Sequence, residues 1–308
     1  MKNGDALRQC IDRQEMVRRR WRLLAQALFA GGSVSCARRN NRTYDFLENL
    51  SNFFDLFDVH PQPQLAEPTA SWYRYELKVD DGCKSVKIRH PTASFTIDQL
   101  VGFNNTGNVR VWPSEEVLAY LALKNEPFFA GKSVLEVGGG MSCLAGVLLA
   151  QHADCQSVQL TDGHPNAVQN VARIVEANAP NCAVGCEVLV WSEYRQHRRT
   201  YDVILAADCL FFDDSRADLL LLVEAVLRPT GVVLMVAPRR GQSLQKFVSC
   251  ARRSGFRCSV RSHYDKAVWL RHNELKAQKS YDEDAHFPLL VVMTRMSNRV
   301  ETDSLWQV

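Results

Sequence analysis

No run of apolar residues in this 308-residue chain approaches the ~18 that a membrane-spanning helix needs. Glycine does not recur every third residue, which excludes a collagen-like chain, and no internal repeat is visible. A disordered polar composition is also missing: 46% of the residues are hydrophobic, enough to build a core. Cys182 and Cys186 form a close pair, but no second Cys/His pair stands at zinc-ligand spacing, so no metal site is expected. The Arg-rich N-terminal stretch lacks a clean small-residue cleavage site after a full apolar core, and Asp5, Asp12 and Glu15 weaken a transit-peptide reading. In a chain of this length the ten scattered cysteines therefore predict reduced thiols, in cytosol or nucleus, rather than a disulfide framework. A soluble globular protein remains.

Net charge is only +3, but its distribution is uneven. Residues 1–43 carry ten Arg/Lys against three Asp/Glu, a net +7, which leaves −4 for the rest. Met16 to Phe29 reads as an amphipathic helix, with Val17, Trp21, Leu24 and Leu28 on one face. Such a basic arm either steers the chain toward an acidic protein, nucleic acid or an anionic membrane, or is a solvated helix face.

Pro61, Pro63 and Pro68 mark His60 to Ala70 as a loop. Beyond it Tyr73, Tyr75, Leu77 and Val79 alternate with polar residues, Asp80-Asp81-Gly82 supplies a turn, and Val86 and Ile88 alternate on the return. A β-hairpin is expected, with a further strand at 93–97. Residues 1–109 thus read as an accessory region and 110–308 as the main domain. From Lys132 onward the pattern changes to short apolar strands at 133–137, 157–161, 183–190, 202–207, 232–237 and 288–294. Helices are expected between most of them, at 142–151, 165–178, 215–227 and 243–253, with a polar helical insertion around 270–279. Buried strands alternating with helices imply an α/β, doubly wound, mostly parallel sheet.

Three glycines, Gly138, Gly139 and Gly140, follow the first of these strands. A glycine turn there lets a nucleotide-type ligand approach the backbone at a helix N-terminus. Asp162 follows twenty-four residues after Gly138, closing the second strand, where a carboxylate can accept both ribose hydroxyls of a nucleoside. NAD and S-adenosylmethionine share that half, and a helix-capping Asp is the bland alternative. Cys143 at the third glycine position and Glu136 before the turn are atypical of NAD sites. Trp191, at the end of the third strand, is either an adenine-pocket wall or a core residue. Ala207, Asp208, Phe211 and Phe212 follow the fourth strand, placing an acid and two aromatics at the sheet's carboxyl edge. Aromatic faces attract ammonium groups, so this resembles a cationic-amine site, although Asp208 could also cap a helix.

The segments 106–119 (TGNVRVWPSEEVLA), 136–146 (EVGGGMSCLAG), 160–163 (LTDG), 207–211 (ADCLF) and 237–241 (APRRG), closed by PLLVVMT, occur in order over residues 100–295. Together they resemble the calmodulin-lysine N-methyltransferases, a family acting on lysines of non-histone proteins. The resemblance implies a seven-stranded, Rossmann-like methyltransferase sheet with an N-terminal helix and β-hairpin extension. It implies S-adenosylmethionine as cofactor, held by Trp112, Gly138, Gly139, Gly140, Asp162, Trp191 and Ala207. Asp208 and Phe211 stand in the family's Asp-x-x-Tyr motif as catalytic residues, with Phe211 replacing the tyrosine. Calmodulin is the implied partner, with trimethylation of a lysine the expected end point, by a monomer in cytoplasm or nucleus. The alternatives are another protein lysine or small amine, an NAD-dependent oxidoreductase, and a non-catalytic binding module on the same fold. Nucleic-acid adenine methylation is disfavoured, because no Asn/Asp-Pro-Pro-aromatic signature follows the fourth strand.

Overall fold

A computed structural model describes residues 52–79, 82–91, 110–210, 215–278 and 281–297. The proposed basic helix at 16–29, the strand at 93–97, Asp80, Asp81, Phe211 and Phe212 lie outside these residues.

Two sheets are present among the described residues. The smaller is antiparallel, with β2 (Ala70–Val79) between β1 (Asp58–Pro61) and β3 (Gly82–Pro91). The expected hairpin is β2–β3, paired from Ala70–Pro91 to Val79–Gly82. Its third strand is β1, which runs two residues into the segment expected to be a loop. Pro61 can end such an edge strand because it owes the ladder no N–H there.

The larger sheet begins after helix α1 (Pro113–Lys124). Strand β4 (Ser133–Val137) leads into α2 (Leu144–His152), then β5 (Ser157–Asp162), α3 (Pro165–Asn178) and β6 (Ala183–Val188). The chain then returns through β7 (Tyr201–Ala207), α4 (Ser215–Val226), β8 (Leu227–Ala237), α5 (Ser243–Arg253) and β9 (Phe256–Arg261). It ends with α6 (Lys266–Leu275), the single turn α7 (Glu283–His286) and β10 (Leu289–Arg295). Strand order is β6-β5-β4-β7-β8-β10-β9. Pairing is parallel from β6 to β8, and β10 runs antiparallel to both β8 and β9. The fold is therefore the doubly wound, mostly parallel α/β sheet expected from the sequence, with the seven strands that the resemblance implied. Every residue of β4 is buried, as are all but the last of β10, as expected for strands covered on both faces.

The small sheet rests on α2 and α3, and residues 54–88 share one continuous core with the large sheet. Asn178 of α3 bonds both backbone groups of Lys87, accepting its N–H at 2.7 Å and donating to its carbonyl at 2.7 Å. Two turns earlier Asn170 accepts from Arg89 Nη1 at 2.7 Å and donates to the Arg89 carbonyl at 3.0 Å. Two asparagines on one helix face thus close the free edge of β3. Because the order reverses between β4 and β7, the carboxyl ends of these two strands open a crevice, the usual ligand position in such sheets.

Candidate active site

Gly138 and Gly140 both adopt positive φ, +60° and +61°, bending the chain sharply off β4. At Gly138 close approach is also required: a Cβ there would lie 3.0 Å from both the Trp191 ring and Cys209 Sγ. At Gly139 a Cβ would overlap the Cys143 thiol. The bare loop therefore brings Trp191, from beyond β6, and Cys209, from beyond β7, together at one point. Trp191 does not end the third strand, as expected, but opens a short 3-10 turn (Trp191–Gln196) three residues beyond β6.

Asp162 closes β5 and faces the same loop. Its Oδ2 accepts the Gly140 N–H at 2.9 Å and its Oδ1 the His164 N–H at 2.8 Å. A carboxylate offers about four acceptor positions, so two remain, the number a ribose diol needs. Burial pushes its pKa up, while the backbone N–H groups of His164, Gly140 and Gly163 and the nearby His164 ring pull it down.

Two further acids gather beneath the loop. Glu136, on β4, accepts the Gly146 N–H through Oε2 at 2.7 Å, and its Oε1 is buried without a partner among the described residues. Burial, then the neighbouring Glu115, raises its pKa to about 8. Glu115, on α1, accepts from the Ser142 hydroxyl, from Leu144 N–H at 3.2 Å and from Trp112 N–H at 3.3 Å. These bonds tie the first turn of α1, with Trp112 ahead of it, to the end of the glycine loop. They also decide what the crevice can hold. Leu144 and Gly146 are first-turn residues of α2, and both direct their N–H groups at carboxyl groups. A dinucleotide places its pyrophosphate on those donors. Here carboxyl groups occupy them, so the loop does not offer a pyrophosphate those donors.

On the other side of the crevice stands Asp208, directly after Ala207 at the end of β7. It has positive φ, +57°, an uncommon conformation for a residue with a side chain, fixed by its N–H bond to the Val236 carbonyl at 2.9 Å. Arg240, beyond β8, grips both carboxylate oxygens, Nη1 to Oδ1 at 2.5 Å and Nη2 to Oδ2 at 2.7 Å. Arg110 lies close enough to feel both charges and stacks over the Trp112 ring at 4.4 Å.

The residues expected from the sequence thus converge: Gly138, Gly139, Gly140, Asp162 and Trp191 meet directly, Trp112 is tethered to the loop through Glu115, and Ala207 and Asp208 line the opposite strand end. Sequence reasoning gave no role to Glu115, Arg110 or Arg240, although each lies in a quoted segment. No group of three or more His, Cys, Asp or Glu side chains among the described residues is arranged to hold a metal ion.

A family profile described as lysine methyltransferase matches residues 94–254. A calmodulin-lysine N-methyltransferase of Arabidopsis thaliana is 29% identical over 297 residues, covering 89% of this chain and 95% of the relative. Among solved structures the chain is similar to M. jannaschii TYW2 in complex with AdoMet, with 11% identity and a TM-score of 0.43 over 75% of this chain and 88% of that one. It is also similar to the ribosomal protein L11 methylase of Lactobacillus delbrueckii subsp. bulgaricus, with 16% identity and a TM-score of 0.38 over 58% and 76%.

Proposed function

The chain belongs to the lysine methyltransferase family, and from that premise we propose that it transfers methyl groups from S-adenosylmethionine to a lysine of calmodulin. Methyl transfer to lysine with this cofactor follows from the family. The choice of calmodulin is supported by the Arabidopsis relative, whose likeness runs along nearly the whole of both chains rather than the cofactor half alone. The observation that carries the chemistry is the start of α2 beside Asp162, where carboxyl groups already occupy the Leu144 and Gly146 N–H donors that a dinucleotide's pyrophosphate would need, which opposes NAD.

When bound, S-adenosylmethionine supplies a methyl group on a positively charged sulfur, open to displacement by an amine. Asp162 would accept the ribose hydroxyls, the glycine loop would allow close backbone approach, and Trp191 and Trp112 would wall the nucleoside. A lysine amine must be neutral to attack, and at pH 7 neutrality costs about 4.6 kcal/mol from its ordinary pKa of ~10.4. Removal from water and a nearby positive charge both lower that barrier. Asp208 is gripped by Arg240 through both oxygens. Its remaining lone pairs suit it to orient the amine.

Incubation with labelled cofactor and calmodulin, followed by mapping of the labelled residue, tests this function. Label on a calmodulin lysine supports it. Label only on other proteins would leave lysine methylation standing and remove the named substrate.

A further inference from the structure

Arg110 is a buried cation without an anion of its own. It is 8% exposed, and its Nε and Nη1 are buried with no hydrogen-bond partner among the described residues. Burying guanidinium donors without acceptors is strongly unfavourable, so a fold that does so is expected to meet an acceptor from outside. The residue is held in place by its stack on Trp112 at 4.4 Å, not by a salt bridge. Burial pulls its pKa down to about 10, while Asp208 raises it and Arg240 lowers it, which puts all three charges in one neighbourhood. Both oxygens of Asp208 are taken by Arg240. Two guanidinium groups and one carboxylate leave one positive charge over at the end of β7. The acids Glu115, Glu136 and Asp162 gather instead at the ends of β4 and β5.

We infer that Arg110 is a carboxylate-binding subsite of this crevice, its Nε–H and Nη1–H receiving either the α-carboxylate of S-adenosylmethionine or an acidic side chain beside the target lysine. Guanidinium donors in a fixed fork match a carboxylate in shape and charge, and lysine would not replace them. The inference rests on the methyl-transfer reading above.

Calorimetric binding of S-adenosylmethionine and of its decarboxylated form to the full chain, wild type and Arg110→Met, separates the possibilities. Thermal melting of each protein without ligand accompanies it. If the cofactor carboxylate is the ligand, Arg110→Met weakens S-adenosylmethionine about tenfold or more and barely changes the decarboxylated form. Arg110→Lys, which keeps the charge and loses the fork, falls between. If the substrate is the source, cofactor binding is unchanged, the KM for calmodulin rises about tenfold, and neutralising the acids beside the target lysine removes the difference. In both cases the unliganded variant melts no lower than wild type, because an unsatisfied buried charge has been removed. Equal weakening of both cofactor forms, or a lower melting point with recognition unchanged, would overturn the inference and make Arg110 structural. Failure of the wild type to bind S-adenosylmethionine would instead overturn the methyl-transfer reading itself.

Discussion

Asp162 carries two backbone N–H bonds and two free acceptor positions, and that division sets the outcome of its removal. Hydrogen bonds to a charged group contribute ~1.5–3 kcal/mol each, so Asp162→Ala should weaken S-adenosylmethionine by tenfold or more in a calorimetric titration. Unchanged affinity would remove Asp162 from the cofactor site. Glu136 makes a different prediction. Its pKa is raised to about 8 in the folded chain, burial outweighing its single N–H bond, against ~4.3 when unfolded. The folded state therefore holds more protons between these values, and its stability falls as pH rises from about 5 through 8. Glu136→Gln keeps the shape and cannot ionise, so its melting temperature should change less over that range and exceed wild type near pH 8.5. A variant with the wild-type slope would show that Glu136 titrates normally. Asp208→Asn breaks the grip of Arg240 and should cut turnover far more than cofactor affinity, which steady-state kinetics and calorimetry compare directly. Gly138–Gly140 and Asp162 were legible because each follows an apolar strand at nucleoside spacing. The Asp208–Arg240 pair was not, since partners 32 residues apart meet only through the sheet.

The elements show why some segments spoke plainly and others did not. Continuous apolar runs marked β4, β7 and β10, and α3 and α5 begin and end where the sequence put them. Strand β9 went unread because FRCSVR lies at the sheet edge, with only Phe256 and Cys258 buried. Helix α1 was missed for the opposite reason. Ten of its twelve residues are buried, Glu115 and Glu116 included, so it has no polar face to set a period. Its adjacent acids look in different directions. Glu115 holds the glycine loop, while Glu116 accepts Phe54 N–H at 2.9 Å and Leu56 N–H at 3.0 Å. The seam between α3 and β3 carries the prediction at this scale. Asn178→Leu leaves two backbone groups of Lys87 without partners, each worth ~1–3 kcal/mol when buried. The denaturant midpoint should fall accordingly, with cofactor affinity retained in the remaining folded protein. An unchanged midpoint would mean that water satisfies the β3 edge equally well.

At the scale of the whole molecule the charge separation matters most: a net +7 over residues 1–43 joined to −4 over the remainder. An acidic substrate would be drawn to the former and repelled by the latter. Neutralising Arg18, Arg19, Arg20 and Arg22 should therefore raise the KM for calmodulin at low salt and leave turnover nearly intact, the difference fading as ionic strength rises. A lowered melting point with no change in salt dependence would make that segment structural instead. The architecture was readable as a whole because strand–helix alternation has few solutions, whereas the attachment of the small sheet depends on individual asparagine and glutamate bonds that leave no periodic trace. The central claim, that this crevice moves a methyl group from S-adenosylmethionine to calmodulin, is tested most directly by intact-mass measurement of calmodulin after incubation with the protein and cofactor. The account predicts a gain of whole methyl masses on calmodulin, slowed by Asp162→Ala at limiting cofactor. An unmodified calmodulin, under conditions where the protein binds cofactor and methylates another substrate, would contradict it.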